Sequence, residues 1–297
     1  MRATQLQKRL AAGARLLMDG GMGSELEHRG IPTTLPLWSA EALLTQPEVV
    51  LQIHRDYLAA GAEILITDTF RTTRRAFANN GGAEQAAGAT ALACALAQQA
   101  RQEAQTGREI YIAGSIAPLE DCYSPELTPP QSEVEAEHAE LVAQLKQGGV
   151  DFILLETMIT ARETLSGIRA IQEQGLPFAV SFCCNDALAL LSGEPLQEVV
   201  SAVTAFQPLF IGINCISLPI ATSTVGQLRA MTSLPISVYA QGDGLADGWT
   251  LAEEPHLQAY LQAASHWLAA GAQVIGGCCG TTPAYIRALH RLLDKKA

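Results

Sequence analysis

Short apolar segments alternate with longer amphipathic segments along the whole chain, and this alternation constrains the fold more than any other feature of the sequence. We count eight such units in 297 residues. The apolar segments predict strands over residues 15–20, 64–70, 111–116, 152–157, 178–183, 210–215, 236–241 and 273–278. The amphipathic segments predict helices over residues 47–60, 83–106, 132–148, 161–174, 196–206, 222–231, 255–270 and 283–293.

The predicted strands are continuous apolar runs, which is typical of parallel strands buried on both faces. Consecutive strand–helix units of this kind predict an α/β protein with a single (βα)8 TIM barrel. An open doubly wound sheet is the alternative, but no Gly-x-Gly-x-x-Gly fingerprint follows the first predicted strand. Because no linker-like stretch or change in composition divides the chain, we expect one domain over residues 1–297.

The charge and the cysteine content limit the partners that the chain can have. A formal net charge of −11 disfavours nucleic acid and anionic membranes, since both bind proteins through Lys and Arg. No apolar run is long enough to span a membrane, and the basic first 18 residues resemble a transit peptide only weakly. The seven cysteines do not have the spacing of a disulfide scaffold, which predicts a reducing, cytoplasmic environment. We expect a small-molecule substrate and leave open a homo-oligomer.

Three cysteines follow two of the predicted strands. Cys215 ends the sixth strand, and Cys278 and Cys279 follow the eighth within the glycine-rich segment 276–280. Successive strand residues point to opposite faces, so one metal can bind both Cys278 and Cys279 only if the strand breaks, which the glycines allow. Three thiolates at one rim favour zinc with an open coordination position, which suits catalysis. Cys183 and Cys184 are either buried packing residues or a further ligand.

Two acids end other predicted strands at the same rim. Asp19 precedes two glycines and could be no more than the cap of a turn. Glu156 ends the apolar run 152–155, where a partly buried carboxylate needs a partner. Two acids beside a thiolate site repel its charge unless a cation lies between them. A substrate ammonium group is therefore the predicted partner.

These residues together resemble the homocysteine S-methyltransferase family. The resemblance covers nearly the whole chain and is carried by the segments 19–24, 54–62, 150–157, 212–215 and 276–280. It implies a (βα)8 barrel in which Cys215, Cys278 and Cys279 bind Zn²⁺, and in which Asp19 and Glu156 hold the amino group of L-homocysteine. It also implies that Gly20, Gly21 and Asn214 contribute to substrate binding. The resemblance implies transfer of a methyl group to the homocysteine thiol, which gives L-methionine with no protein nucleophile.

The methyl donor is predicted from fewer residues. Tyr239 ends the seventh strand and resembles an aromatic of the S-methylmethionine-dependent members, although Ala240 and Gln241 replace a proline and an asparagine. Arg71 stands where the betaine enzymes have an aromatic residue, which disfavours betaine. It would contact a carboxylate of the donor or pair with Asp68. We expect a sulfonium donor such as S-methylmethionine or S-adenosylmethionine, held by Arg71, Tyr239 and Gln241.

Three alternatives remain open at the level of the sequence. The chain could act with a separate partner protein that supplies methylcobalamin or a methylated folate. It could be a phosphate-binding barrel enzyme in which segment 276–282 cradles the anion and the cysteines are incidental. It could also be a zinc or redox sensor in which Cys183 or Cys184 closes the coordination sphere.

Overall fold

The computed structural model of the protein describes residues 2–242 and 254–294. The strands in this part are β1 Leu16–Leu17, β2 Ile64–Ile66, β3 Tyr111–Ile116, β4 Phe152–Met158, β5 Phe178–Phe182, β6 Ile211–Asn214, β7 Ile236–Tyr239 and β8 Ala272–Ile275. The helices are α1 Arg2–Ala11, α2 Met22–His28, α3 Glu41–Thr45, α4 Pro47–Ala60, α5 Arg74–Asn79, α6 Ala86–Glu103, α7 Gln131–Gln147, α8 Ala161–Glu173, α9 Leu196–Thr204, α10 Leu218–Met231, α11 Glu254–Ala269 and α12 Pro283–Asp294.

The strands form one parallel sheet in the order β1-β8-β7-β6-β5-β4-β3-β2. Met18 and Ile64 form a parallel bridge between β1 and β2, which closes the sheet into a barrel. The predicted (βα)8 barrel is therefore confirmed, and the open doubly wound sheet is not observed. None of the helices in residues 2–242 and 254–294 has the length and apolarity that a membrane crossing requires.

The barrel is filled from its N-terminal end. Leu6 and Leu10 of α1 pack in one apolar cluster with inward-facing residues near the strand starts, among them Phe152 and Phe210. The Phe152 and Phe210 rings meet edge to face with centroids 5.9 Å apart. Because α1 covers this end, the C-terminal ends of the strands are left to form the opening. The basic first segment, which weakly resembles a transit peptide, thus forms a helix that contributes Leu6 and Leu10 to the core.

The structure and the sequence differ mainly at the ends of elements and in the loops. Predicted strand 64–70 pairs only as far as Ile66, because the next residues turn away to line the rim. Helix α10 begins at Leu218, earlier than predicted, since Pro219 is tolerated in a first turn. Helices α1, α2, α3 and α5 were not predicted. Three of them are short and lie within long strand-to-helix connections, where the apolar period is too brief to detect.

Candidate active site

A cavity of about 290 Å³ opens at the C-terminal ends of the strands. Nine of the residues predicted from the sequence line it: Asp19, Gly20, Gly21, Arg71, Glu156, Cys215, Tyr239, Cys278 and Cys279. Asn214 and Gln241 do not line the cavity, although each contacts a residue close to it. The strand ends thus bring most of the predicted set together in one place, as the barrel rule requires.

The three predicted cysteines form one cluster. The Cys215 Sγ lies 2.7 Å from the Cys278 Sγ and 4.0 Å from the Cys279 Sγ, and all three sulfurs lie within 4.8 Å of one another. Strand β8 stops at Ile275, so the chain turns through Gly276 and Gly277 before it reaches the cysteines. This break allows two adjacent side chains to face the same point, which a regular strand forbids.

The backbone of Cys215 is itself unusual. Its φ angle is 54°, in the left-handed region that non-glycine residues seldom adopt. Such a conformation costs about 1–3 kcal/mol and is kept where the surrounding structure holds it. Here the Cys215 amide donates to the Tyr239 carbonyl oxygen at 3.3 Å. The strained turn directs the Cys215 sulfur towards the β8 loop.

The three thiols of the cluster influence one another's pKa values. Hydrogen bonds from the Cys278 and Cys279 thiols hold the pKa of Cys215 well below its usual value. The same contacts with Cys215 raise the pKa of Cys278 and that of Cys279. One thiolate is therefore stabilised by two thiols, and a soft metal ion is the partner that would release the remaining protons. The donor set fits zinc, since it consists of sulfur alone.

Cys183 and Cys184 lie outside this cluster. Within residues 2–242 and 254–294, no fourth His, Cys, Asp or Glu ligand atom lies within 4.8 Å of all three sulfurs. The Cys183 thiol instead donates to the Cys215 carbonyl oxygen at 3.7 Å, and Cys184 forms a backbone bridge with Leu190. The geometry gives no support to a closed four-cysteine site.

Asp19 and Glu156 approach the cavity from β1 and β4. The Asp19 Oδ2 accepts a hydrogen bond from the Ile66 amide at 2.8 Å, whereas its Oδ1 is buried without a partner among the residues that the structure describes. The side chain therefore reaches across to β2 and does not cap a local turn. The Glu156 Oε1 accepts from the Ser115 hydroxyl at 2.5 Å. Ser115 was not predicted, although a serine inside the apolar run 111–116 was a visible signal.

Burial disfavours the charged form of both the Asp19 and the Glu156 carboxyl groups. It raises the pKa of Asp19 well above its usual value, and the neighbouring Glu156 carboxyl adds to this shift. Burial, together with the charge on Cys215, raises the pKa of Glu156 to about 7. A cation between the two groups would favour their charged forms. The unpartnered Asp19 Oδ1 is a free acceptor for such a cation.

The two glycines after Asp19 differ in what their amides do. The Gly21 amide donates to the Thr281 Oγ1 at 3.2 Å, whereas the Gly20 amide donates to no acceptor in the described part of the chain. A Cβ atom on Gly20 would lie 2.8 Å from the Tyr57 hydroxyl, so only glycine fits there. Gly20 lines the cavity, so its amide is a candidate donor to a bound ligand.

Asn214 does not line the cavity but holds the residue that follows Glu156. Its Oδ1 accepts from the Thr157 amide at 2.9 Å, and its Nδ2 donates to the Thr157 Oγ1 at 2.8 Å. Thr157 has a φ angle of 57° and lies where the pairing of β4 with β5 shifts register, so Asn214 holds a strained irregularity of the strand directly after Glu156. This arrangement, which the sequence did not reveal, favours a positioning role for Asn214.

Replacing Asn214 by leucine tests this role. We expect Asn214→Leu to destabilise the fold by about 2–4 kcal/mol, because it leaves the amide and hydroxyl of Thr157 without partners. The KM for the ammonium-bearing substrate that Glu156 is predicted to hold should rise as Glu156 loses its fixed direction. A second change, Thr157→Gly, removes the orphaned hydroxyl and the left-handed strain and should restore part of the stability. Urea unfolding and initial rates measure both effects, and no recovery in the double variant would contradict the assignment.

The remaining predicted residues lie on the other side of the cavity. The Gln241 Nε2 donates to the Tyr123 hydroxyl at 3.0 Å, so Gln241 reaches the cavity through Tyr123. Tyr239 lines the cavity directly, and its buried hydroxyl lies near the side chains of Ser181 and Glu156. Tyr123 was not predicted. It lies seven residues beyond the end of β3, in a loop that the rule used for the other strand ends does not reach.

The loop after β8 does not form an anion cradle. The Gly277 amide donates to the Asp19 carbonyl oxygen at 3.0 Å, and the Gly280 amide donates to the Ser24 Oγ at 3.0 Å. The amides of Gly276, Cys278 and Thr281 also donate to protein acceptors. A phosphate would have to compete with these bonds. These bonds engage five of the seven amides of segment 276–282 and so disfavour the alternative of a phosphate-binding barrel.

Comparison with known proteins gives a consistent result. The family model described as homocysteine S-methyltransferase matches residues 16–293. The homocysteine S-methyltransferase of Escherichia coli (strain K12) is 34% identical over 294 residues, which cover 92% of this chain and 94% of that protein. The homocysteine S-methyltransferase YbgG of Bacillus subtilis (strain 168) is 32% identical over 292 residues, which cover 92% of each chain. The crystal structure of the metallated form of the homocysteine methyltransferase MmuM from Escherichia coli superposes with a TM-score of 0.84 at 30% identity, covering 97% of this chain and 99% of that one.

Proposed function

The chain belongs to the homocysteine S-methyltransferase family, and we propose that it forms L-methionine from L-homocysteine with a sulfonium methyl donor and zinc held by Cys215, Cys278 and Cys279. We propose further that residues 1–297 make up a single homocysteine-binding barrel domain. A reducing compartment such as the cytoplasm would keep the three thiols available for the metal.

One observation carries the proposal. A cluster of three cysteine sulfurs and a buried carboxylate oxygen without a partner, the Asp19 Oδ1, line the same cavity. The molecule that satisfies both carries a soft sulfur at one end and a cationic group at the other. Homocysteine has a thiol and an ammonium group a few bonds apart. Zinc, when bound, would lower the pKa of that thiol and keep it nucleophilic at neutral pH.

The protein side chains would orient the substrate. Asp19 and Glu156 would accept hydrogen bonds from the ammonium group, and the free Gly20 amide would donate to the substrate carboxylate. Gly21 would support that turn through its bond to Thr281. The homocysteine thiol, after losing its proton to solvent, would attack the donor methyl carbon, so that a new carbon–sulfur bond forms as the bond between the methyl group and the sulfonium sulfur breaks, and the donor would leave as a thioether. Alignment of the reacting atoms at about 3–3.5 Å contributes several kcal/mol to such a transfer.

The donor side supports a cationic methyl donor. Tyr239 places an aromatic ring in the cavity lining, Tyr123 places a second one there, and Gln241 holds the Tyr123 hydroxyl. Aromatic faces and the acids of the rim stabilise a sulfonium. A methylcobalamin or methylfolate donor would need a separate partner protein.

A donor panel tests the proposed function. Purified protein with one equivalent of zinc is supplied with homocysteine and with S-methylmethionine, S-adenosylmethionine, dimethylsulfoniopropionate, betaine or methylcobalamin, and methionine is measured. We expect methionine from at least one sulfonium and little from betaine. Methionine formation only with methylcobalamin would contradict the sulfonium assignment.

Protonation of Glu156 should set the acid side of the pH profile of kcat/KM for homocysteine. Because the pKa of this carboxyl in the free protein is raised to about 7, the group binds a proton below that pH and loses its attraction for ammonium. We expect kcat/KM for homocysteine to fall as the pH drops from 8 to 6, by up to about tenfold per pH unit below the pKa. Initial rates at constant ionic strength check this. The Glu156→Gln variant should lack this fall, and an unchanged fall in that variant would assign it to another group.

A further inference from the structure

We propose that Arg71 binds the carboxylate of the methyl donor and thereby restricts the enzyme to donors that carry one. The inference rests on the proposed function and adds to it a residue that selects among cationic donors. Arg71 is 7% exposed and lines the cavity. It is the single Lys or Arg among the described residues of the lining, whereas Asp19, Asp68, Asp121 and Glu156 supply negative charge there.

Arg71 has no counter-ion among residues 2–242 and 254–294. Its one hydrogen bond goes from Nη1 to the Leu119 carbonyl oxygen at 3.4 Å, and its Cζ lies 5.7 Å from the centre of the Phe70 ring. In the described part of the chain no carboxylate oxygen lies within 4.0 Å of the guanidinium. The predicted alternative, an ion pair with Asp68, is not formed. The Asp68 Oδ1 accepts from the Ser39 hydroxyl at 2.6 Å instead.

Neighbouring arginines behave differently. Arg74 pairs with Glu140, and Arg75 pairs with Glu120, Glu133 and Glu137. These side chains are also more exposed than Arg71. The most buried arginine of the three is thus the one without an acid. A buried guanidinium without a counter-ion is costly, and its fork of donors fits a carboxylate.

The position of Arg71 assigns it to the donor and not to homocysteine. The proposed function already directs the thiol of homocysteine to the cysteines, its ammonium group to Asp19 and Glu156, and its carboxylate to the Gly20 amide, so Arg71 is left for the donor. Arg71 contacts the loop after β3 through Leu119, on the side of the cavity that also carries Tyr123. A donor on that side brings a positive charge into the same cavity as Arg71. The two cations repel unless the donor also carries a carboxylate that neutralises the guanidinium.

Two donors that differ only in the carboxylate test the inference. S-methyl-L-methionine and its carboxamide have the same sulfonium and the same amine, and kcat/KM for each is measured with saturating homocysteine. We expect the wild-type protein to prefer the carboxylate by at least about tenfold, the loss caused by leaving one buried charge unpaired. Arg71→Leu should lower kcat/KM for S-methyl-L-methionine by at least about tenfold and leave the carboxamide within about threefold. The preference should therefore disappear.

Controls separate this inference from others. Arg74→Leu, which removes a nearby exposed arginine, should leave the preference unchanged, and the zinc content of Arg71→Leu should equal that of the wild type. An equal fall for both donors would overturn the inference in favour of a structural role. A rise in the KM for homocysteine alone would overturn it in favour of acceptor binding. Equal use of both donors by the wild type would refute the role of Arg71 while leaving the proposed function intact, whereas no methionine from any sulfonium would refute the proposed donor class itself.

Discussion

The Cys215→Ala variant is expected to lose its zinc and its ability to form methionine. Cys215 is the sulfur that both other cysteines contact, at 2.7 Å and 4.0 Å. Its removal leaves two thiols, which are too few to hold the metal against competing chelators. Loss of an outer contact to a metal ligand typically costs 10–100-fold in affinity or activity, so we expect the loss of a ligand itself to exceed about 100-fold. Metal analysis after dialysis and methionine formation measure the two losses.

A matched control is available in the same barrel. Cys184 is buried at the end of β5, but its sulfur is not part of the cluster. Cys184→Ala should keep one zinc and most of the activity, and Cys183→Ala should also keep the zinc. Loss of zinc in either control would instead support a closed four-cysteine site. Full activity in Cys215→Ala would show that the cysteines are incidental.

The Glu156→Gln variant is expected to bind homocysteine at least about 30-fold more weakly. Glutamine has nearly the shape of glutamate and can still accept the Ser115 hydrogen bond, but it carries no charge for the ammonium group. Removing one partner of a buried charged contact typically costs about 2–5 kcal/mol, and 1.4 kcal/mol corresponds to a factor of ten. The rise should appear in KM for homocysteine and not in KM for the donor. Initial rates with each substrate varied in turn measure it.

The same substitution should stabilise the metal-free protein at alkaline pH. Since burial raises the pKa of Glu156 to about 7, the folded state binds a proton that the unfolded state has released above its ordinary pKa of 4.5. The free energy of unfolding of the wild type therefore falls by about 3 kcal/mol in total as the pH rises from 4.5 to about 7. A glutamine at this position does not ionise, so the variant does not lose this stability. Urea unfolding at pH 8 and pH 5 should show the variant more stable than the wild type at pH 8 and nearly equal at pH 5. A variant less stable at pH 8 would show that Glu156 is ionised and well compensated in the metal-free fold.

Much of the site followed from the sequence because barrel geometry converts strand ends into neighbours. Asp19, Glu156, Cys215 and the 278–279 pair are far apart in the chain, yet each ends an apolar run, and all of them line one cavity. The prediction needed only the period of the strands and the polar residues that interrupt them. The glycines around Cys278 also indicated the break that the structure shows.

Other parts of the site could not be predicted, because they depend on side-chain directions and loop paths. The double hydrogen bond between Asn214 and Thr157 requires that two strand ends two positions apart in the sheet face each other. Tyr123 enters the cavity from a loop whose path has no sequence period. For Arg71 the sequence allowed either a donor contact or a pair with Asp68, and only the position of Ser39 shows why that pair does not form.

X-ray absorption at the zinc edge, with and without homocysteine, tests the central claim most directly. The cluster supplies three sulfurs, and no further cysteine in the described part of the chain joins it. We predict about three sulfur neighbours around zinc in the free protein and about four when homocysteine is added, with no such rise when serine is added instead. Four sulfurs before homocysteine is added, or a count that homocysteine does not change, would contradict an open zinc site that accepts the substrate thiol.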